Sequence, residues 1–191
     1  MNSIILATTS KYKRALFEKL GLPFEMAPPP CEEIFHAGLT PAEQALRLAE
    51  IKVRSLAGEY PNHRIIGADQ VLALGNELFT KPGTVEKAAA QLLRLSGRTH
   101  CLHTAYAIYD SAADRLLSRV VTARLRIRSG LDPQLVRKVI QLDQSQDCVG
   151  GYKFESRGIQ WMSAVRTSDP SSIIGLPLIS LGADLRRCHR E

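Results

Sequence analysis

Short apolar runs alternate with amphipathic stretches along this chain, and that alternation is typical of proteins that combine helices with a sheet. Apolar or alternating runs predict strands at 4–7, 64–69, 71–74, 77–79, 99–109 and 115–128, and short strands near Tyr152, Gln160 and Val165. Gly75-Asn76 separates two of these runs and predicts a hairpin turn. The pattern therefore predicts an α/β or α+β fold with a mixed sheet.

Residues that cap helices mark the predicted helix boundaries. Thr40-Pro41-Ala42-Glu43 combines a hydroxyl N-cap, a proline in the first turn and a glutamate in the capping-box position, and predicts a helix to about Ala57. Further helices are predicted after Ser10, from Thr84 to Leu95, from Asp132 and after Pro177. At 191 residues we expect one domain, or one domain with two lobes, and no shift in composition marks a boundary.

Composition narrows the class of protein. Apolar residues make up 45% of the chain and charged residues 23%, which excludes wholesale disorder. No apolar run approaches the roughly 20 residues that cross a bilayer. The first residues also lack a basic leader followed by a long apolar run, so we expect a cytoplasmic protein with no membrane partner.

The charge balance points to an anionic partner. The 25 Lys and Arg residues against 19 Asp and Glu residues leave a net charge of +6, which suits a nucleotide or a nucleic acid. The basic residues are dispersed along the sequence, and no helix-turn-helix, RNA-binding or zinc-finger motif is present. We therefore expect a nucleotide rather than a nucleic acid.

The segment Ala7-Thr8-Thr9-Ser10, followed by Lys13 and Arg14, places hydroxyls and cations at the start of a predicted helix. Free backbone N–H groups at a helix N-terminus bind anions, whereas cations there oppose the helix dipole unless an anion is bound. The segment indicates a phosphate site, and the alternative is a capped helix with a solvated basic face.

Other candidate residues are individually weak. Asp69 ends a predicted strand beside Gln70, where α/β proteins often carry catalytic groups, although an Asp there can simply form a turn. Glu33 follows a second carboxylate, Lys52 lies within an apolar-periodic helix, and Lys81 precedes a proline. Lysines together with a metal ion offset the charge of a triphosphate, but each lysine alone is more commonly a surface residue.

Together these residues resemble the Maf-like family of nucleoside triphosphate pyrophosphatases, from residue 4 to about 186. In chain order the matching motifs are Ala7-Thr8-Thr9-Ser10 with Lys13-Arg14, Glu33, Arg47-Leu48-Ala49 with Lys52, Gly67-Ala68-Asp69-Gln70-Val71, Lys81-Pro82, Leu95-Ser96-Gly97 with His100, and Ile174-Gly175-Leu176-Pro177-Leu178. Each motif is weak alone, but their order and spacing together are specific.

The resemblance implies an activity and a fold. Enzymes of this family hydrolyse a nucleoside triphosphate between its α and β phosphates, giving the monophosphate and pyrophosphate, with a divalent cation such as Mg²⁺ or Mn²⁺. The implied fold is an elongated, two-lobed α/β structure with a mixed twisted sheet around a deep cleft, related to the inosine triphosphatase fold. Residues 1–191 would form a single such domain, and because the family is commonly dimeric we expect a homodimer.

The resemblance also implies roles for individual residues. Asp69 matches the general base that activates the attacking water. The positions expected to contact phosphates are Ser10, Lys13, Arg14, Lys52 and Lys81. Glu33 matches an acidic position near the metal and the phosphates, so Glu33 and Asp69 are the candidate metal ligands, directly or through water.

Three positions favour one branch of the family. Tyr12 stands where the branch that prefers thymidine and uridine triphosphates has Arg, Gln70 where it has Thr, and Glu155 where it has Gln. This set resembles the branch that hydrolyses 7-methylguanosine triphosphate. A methylated guanine is cationic and stacks on an aromatic ring, and a carboxylate accepts from its N1–H and N2–H edge. The alternatives are a surface aromatic at position 12 and a solvated carboxylate at position 155.

Some residues depart from the family pattern, and other functions stay open. Lys11 replaces Pro, Tyr12 replaces Trp, Lys13 replaces Arg and Thr80 replaces Gly, of which the last two bear on the rate. The competing hypotheses are a thymidine or uridine triphosphate pyrophosphatase of the same family, a module that holds nucleotides without turnover, and a nucleic-acid-binding regulator of cell division.

Overall fold

The computed structural model describes residues 3–188 and shows a mixed α/β fold, as the sequence predicts. The strands in this range are β1 (Ile4–Ala7), β2 (Glu25–Ala27), β3 (Arg64–Leu74), β4 (Glu77–Phe79), β5 (Thr99–Asp110), β6 (Arg115–Ile127) and β7 (Met162–Arg166). The α-helices are α1 (Lys11–Glu18), α2 (Pro41–Ser55), α3 (Val85–Leu95), α4 (Pro133–Asp143) and α5 (Leu178–Cys188). Short 3-10 helices cover Ser145–Asp147, Val149–Gly151, Arg157–Trp161 and Pro170–Ile173.

One mixed sheet contains these strands. Their order is β2-β1-β3-β5-β6-β7, and β4 pairs with β3. β1 runs parallel to β2 and to β3, with Ile5 opposite Ile65 in the second pair. β4 is antiparallel to β3, and β7 is antiparallel to β6. The mixed sheet of the sequence prediction is therefore confirmed.

The long predicted strands and the strand near Val165 are confirmed, but the short elements differ. The predicted runs at 64–69 and 71–74 form one continuous strand, β3. β2 is a strand of three residues that the apolar pattern does not predict, because an exposed glutamate, Glu25, begins it. Parallel pairing with β1 forms this strand, rather than any pattern of its own.

The strands predicted near Tyr152 and Gln160 are wrong. Gly150 and Gly151 have φ values of +81° and +73°, a left-handed conformation that glycine adopts without a Cβ penalty. They form a 3-10 turn directly before Tyr152, and Gln160 lies inside the 3-10 helix Arg157–Trp161. A run of tight turns therefore replaces two short strands.

Capping side chains begin the helices where the sequence predicts them. Ser10 and Thr84 each accept from a backbone N–H three residues along the chain. Thr40 and Glu43 form a complete capping box at the start of α2. Asp132 accepts from the Gln134 N–H and begins α4. Local hydrogen bonding alone explains these boundaries.

The described chain divides into two compact units. The first comprises residues 3–70, 104–121 and 169–188. Its buried core combines residues of β1, α1, β3, β5 and α5 with one residue of the loop before α5, namely Ile4, Leu6, Leu16, Phe17, Ile66, Ala68, Tyr106, Ile108, Leu176, Leu181 and Leu185. Burial of these apolar side chains is the main stabilising contribution in this unit.

The second unit comprises residues 71–103 and 122–168. Its largest fully buried side chains are Trp161, Leu72, Leu92 and Leu95. Within residues 3–188, none of the helices has the length and apolar character that crossing a bilayer demands. The two-lobed outline, the cleft and the single domain stay predictions.

Candidate active site

Three of the predicted site residues converge in the first unit. Lys52 is buried on α2, and its ammonium group donates to Oδ1 of Asp69, which is buried on β3. The same Nζ lies 2.6 Å from Oε1 of Glu33, whose side chain is half-exposed. A single cation therefore joins two carboxylates from distant parts of the sequence.

The two carboxylates determine the charge state of Lys52. Burial by itself would lower the pKa of Lys52, because it disfavours the charged ammonium form. Asp69 and then Glu33 outweigh burial and hold the pKa of Lys52 above its ordinary value. Lys52 is thus a fixed cation at neutral pH, and a fixed cation can stabilise phosphate charge without first taking up a proton.

Gly67 explains how a lysine on a helix reaches Asp69 on a strand. α2 passes so close to β3 that a Cβ at Gly67 would lie 2.9 Å from the Ala49 carbonyl oxygen and 2.9 Å from Cγ1 of Val53. A side chain at this position would push the helix away from the strand. The glycine of Gly67-Ala68-Asp69 therefore sets the short distance that the Lys52–Asp69 contact requires.

The N-terminus of α1 has the hydroxyl arrangement that the sequence predicts. Ser10 Oγ accepts from the Lys13 N–H at 3.4 Å, and Thr8 Oγ1 accepts from the Ser10 N–H at 3.1 Å. Lys13 Nζ donates to the Ala68 carbonyl at 2.7 Å, so its charge lies at the residue before Asp69. The Lys13 side chain thus links the first turn of α1 to the Gly67–Asp69 segment of β3.

Gln70 is held by a set of acceptors that fixes the orientation of its amide. Its Nε2 donates to Thr104 Oγ1 at 2.9 Å and to the Ser172 carbonyl at 2.8 Å, with the Ile173 carbonyl at 3.2 Å. Because the NH₂ group is committed to these acceptors, the amide can offer a ligand only its Oε1 acceptor. Sequence reasoning missed Thr104 and Ser172, since one acts through a carbonyl and neither belongs to a catalytic pattern.

The other two predicted residues of α1 lie on or near the surface. Lys11 Nζ is 5.4 Å from the centroid of the half-buried Tyr12 ring, a cation–π contact. Arg14 is exposed, and its Nε lies 2.9 Å from Oε1 of Glu18. This pair follows the helical i,i+4 spacing, so Arg14 lies along its own helix and its phosphate role stays a prediction.

Lys81 and Glu155 belong to the second unit, and both are exposed. Their charges influence the pKa of the half-buried Cys148 thiol. Burial makes the largest contribution and raises this pKa. The cations Lys153 and Lys81 lower it, and the Glu155 carboxylate raises it. A phosphate candidate and a specificity candidate that are far apart in sequence therefore act on the same thiol.

A buried histidine anchors the segment that leads to Glu155. His100 Nε2 and the Tyr152 hydroxyl are 2.7 Å apart, and both side chains are buried. Burial lowers the pKa of His100 to about 4, so the imidazole is neutral at physiological pH. His100 thus acts as a fixed partner for Tyr152 rather than as a titrating group.

The carboxylates around Lys52 have the chemistry that a divalent cation needs. Mg²⁺ binds oxygen ligands and commonly uses one or two carboxylates, with substrate phosphates and water completing its coordination. Glu33 and Asp69 supply two carboxylates on one cation. No cluster of three or more His, Cys, Asp or Glu side chains suited to a metal occurs within residues 3–188. The donor set therefore fits an ion that is bound together with phosphates rather than an all-protein cage.

The chain is similar to known proteins along nearly its whole length. The family model described as Maf-like protein matches residues 3–188. The chain is 39% identical to the 7-methyl-GTP pyrophosphatase of Aromatoleum aromaticum, over 97% of this chain and 95% of that protein. It is 38% identical to the protein of that name in Chromobacterium violaceum, over 93% and 92%, and 37% identical to the one in Pseudomonas aeruginosa, over 95% and 94%.

Proposed function

Because this chain belongs to the Maf-like protein family, we propose that it is a nucleoside triphosphate pyrophosphatase with 7-methylguanosine triphosphate as its substrate. The products are the nucleoside monophosphate and pyrophosphate. The observation that carries the proposal is the buried Lys52 ammonium, which joins the Asp69 and Glu33 carboxylates in one group. That group pairs a base with a fixed cation, and it has the oxygen donors of a divalent-metal site.

Asp69 is the general base of this reaction. Lys52 engages Oδ1, so Oδ2 is the oxygen that accepts a proton from water. The water oxygen bonds to one phosphorus of the α–β anhydride, and the phosphorus–oxygen bond to the bridging oxygen breaks. The leaving phosphate group takes the electron pair of that bond. One water is consumed for each triphosphate split.

The cations of the first unit offset phosphate charge. Lys13 and Lys52 are held at the two ends of the Ala68-Asp69 segment, one by a carbonyl and one by a carboxylate. The capped start of α1 adds the backbone N–H groups and dipole that favour an anion. Glu33 and Asp69 would hold Mg²⁺ or Mn²⁺, and the ion would supply further positive charge against the phosphates. Phosphate roles for Ser10, Arg14 and Lys81 rest on the family resemblance.

Base selection is assigned to Tyr12, Gln70 and Glu155. The Gln70 amide presents an acceptor, which suits a guanine N–H donor better than a carbonyl of uracil. The contact between Lys11 and Tyr12 supports the same interpretation, because this ring already attracts a cation and a methylated guanine is cationic. The role of Glu155 rests on the family resemblance. A homodimer belongs to the proposal on the same ground, and the cytoplasmic location stays a prediction from the sequence.

The proposed function is tested by pyrophosphate release from a panel of triphosphates. The panel contains 7-methylguanosine, guanosine, uridine, thymidine and inosine triphosphates, each with Mg²⁺ or Mn²⁺, and Asp69→Asn is the matched variant. We expect preferential turnover of the methylated substrate and a loss of about 10² to 10⁴-fold in Asp69→Asn. Preference for uridine or thymidine triphosphate would keep the reaction and overturn the substrate. Absence of turnover with every substrate would overturn the enzyme and favour a module that only binds nucleotides.

A further inference from the structure

Gln91, a half-buried residue of α3, makes hydrogen bonds with two segments that carry proposed substrate-binding residues. Its Nε2 donates to the Thr80 carbonyl at 2.9 Å, at the residue before Lys81. Its Oε1 accepts from the Gly150 N–H at 2.9 Å, in the segment that continues to Glu155. Both ends of one amide are therefore used, and each end holds backbone rather than a side chain.

The Lys81 loop also contacts the chain just before Cys148 directly, because the Gly83 N–H donates to the Gln146 carbonyl at 2.9 Å. The Gly150 side of the contact is tightly packed. A Cβ at Gly150 would lie 2.7 Å from Cδ1 of Leu72, and one at Gly151 would clash with the Ala88 carbonyl oxygen on α3. The backbone can approach α3, and so reach Gln91, only because both residues are glycines.

The position of Gln91 on its helix is unusual for a polar side chain. Ala88, Leu92 and Leu95 are buried on α3, and Gln91 lies three residues after the first and four before the last. It therefore shares the stripe that packs into the unit. A glutamine there loses hydration, and its two hydrogen bonds compensate for that loss.

We propose that Gln91 is a positioning residue that ties the Lys81 loop to the Cys148–Glu155 segment, so that one amide sets the placement of a phosphate-binding lysine and of a base-selecting carboxylate. This inference rests on the proposed function. The electrostatic action of both Lys81 and Glu155 on Cys148 supports the common placement. Gln91 touches no reacting atom and acts only through the two segments.

Two substitutions distinguish the contributions of the two Gln91 hydrogen bonds. Gln91→Glu keeps an acceptor for the Gly150 N–H but offers the Thr80 carbonyl no donor, so it removes only the hydrogen bond to the Lys81 loop. Gln91→Met has a similar length and removes the hydrogen bonds to both segments, while the Gly83–Gln146 hydrogen bond remains in either variant. Gln141→Glu, at an exposed position of α4 in the same unit, is the matched control for the added charge.

We expect Gln91→Glu to lower kcat by about tenfold, with little change in the preference for 7-methylguanosine over uridine triphosphate. We expect Gln91→Met to lower kcat similarly and also to reduce that preference by about tenfold. Gln141→Glu should match the wild type. If Gln91→Met does not fold, Gln91→Glu, which keeps the length and one hydrogen bond, still provides the test.

Hydrogen–deuterium exchange at the Gly150 N–H gives a second readout that needs no turnover. Protection should persist in Gln91→Glu and fall at least tenfold in Gln91→Met. If the wild type hydrolyses nothing, the proposed function fails, while this exchange still tests the tie. The proposal is overturned if both Gln91 variants keep wild-type kcat, preference and exchange, or if they change only the melting temperature.

Discussion

The two units hold their candidate residues by different physical means. In the first unit Lys52 and Asp69 are buried and ion-paired, and the chain segments of this unit carry twelve Lys and Arg against twelve Asp and Glu within residues 3–188. In the second unit Lys81 and Glu155 are exposed, and this unit contains twelve Lys and Arg residues but only six Asp and Glu residues. The whole net charge of +6 therefore belongs to the second unit.

This difference indicates that the buried charges and the exposed side chains have different roles in the reaction. Charges that burial and pairing hold in place keep one arrangement, which suits proton transfer and phosphate chemistry. Exposed side chains on loops, positioned through their backbone, adapt more easily to different bases. We therefore expect substitution of the buried Lys52 or Asp69 to reduce turnover of every substrate, and substitution of the exposed Glu155 to change the choice among substrates.

The largest effect is expected from Lys52→Met. Removing the ammonium leaves the Asp69 and Glu33 carboxylates facing each other without a cation, which should cost about 3 kcal/mol of stability and about a thousandfold in turnover. Arg94→Met breaks an exposed pair with Glu77 in the second unit and should cost less than about 1 kcal/mol. Urea denaturation and steady-state kinetics measure both. If the two variants lost stability and turnover equally, the buried ion pair would be no more important than the exposed one.

The pH dependence of stability should single out His100. In the unfolded chain its pKa is near 6.5 and in the folded chain about 4, so only the unfolded state takes up the proton between these values. The contribution of His100 to the free energy of unfolding is therefore complete above about pH 6.5. It falls by on the order of 3 kcal/mol as the pH drops toward 4. The contribution of Lys52 has the opposite pH dependence. Because folding raises the pKa of Lys52, its ion pairs stabilise the fold fully below about pH 10, and this stabilisation is lost as the pH rises further.

Denaturation of the wild type and His100→Gln at pH 7.5 and 4.5 isolates the histidine contribution. The loss on acidification should shrink in His100→Gln and stay unchanged in His36→Gln, where the residue is exposed. A wild-type loss that persists in His100→Gln would place the acid sensitivity elsewhere in the chain.

Gly67→Ala tests whether the close approach of α2 to β3 sets the Lys52–Asp69 contact. The added Cβ meets Ala49 and Val53 at 2.9 Å, so α2 must shift away from β3. We expect this shift to lower the free energy of unfolding by about 1–3 kcal/mol and turnover by roughly tenfold. Gly58→Ala is the control, because nothing lies within 4 Å of a Cβ at that position. Equal kinetics in the two variants would show that the helix–strand distance does not set the Lys52–Asp69 contact.

The smallest effect is expected at Lys11. Its ammonium lies on the Tyr12 ring, so Lys11→Ala should free that face and lower the KM for 7-methylguanosine triphosphate by about twofold. The KM for uridine triphosphate, which carries no cationic base, should stay the same. A parallel shift in both KM values would mean that Lys11 acts on the phosphates instead.

Capping residues and apolar runs are local signals, and so the sequence predicts helix starts at Ser10, Thr40, Thr84 and Asp132 well. Turns held by distant packing are not predictable in this way, as the glycines before Tyr152 show. The same limit applies to the candidate site. Asp69 and Lys52 stand out by resemblance, but no spacing in the sequence indicates that Glu33 shares the same ammonium.

Gln91 illustrates the limit most clearly. A glutamine on an amphipathic helix belongs to no catalytic pattern, and the only local signal is its place on the stripe of Ala88, Leu92 and Leu95. Its partners are the backbone carbonyl of Thr80 and the backbone N–H of Gly150, groups that almost every residue type carries. Such a role becomes visible only when the fold brings those groups together.

The most direct test of the contrast between the buried pair and the exposed carboxylate compares Asp69→Asn with Glu155→Gln. The measurement is kcat/KM for 7-methylguanosine and uridine triphosphates in the wild type and both variants. We predict that Asp69→Asn lowers both values by a similar factor, about 10² to 10⁴, and that Glu155→Gln lowers only the value for the methylated substrate, by about tenfold. A Glu155→Gln variant that loses both activities equally, or an Asp69→Asn variant that alters their ratio, would contradict the account.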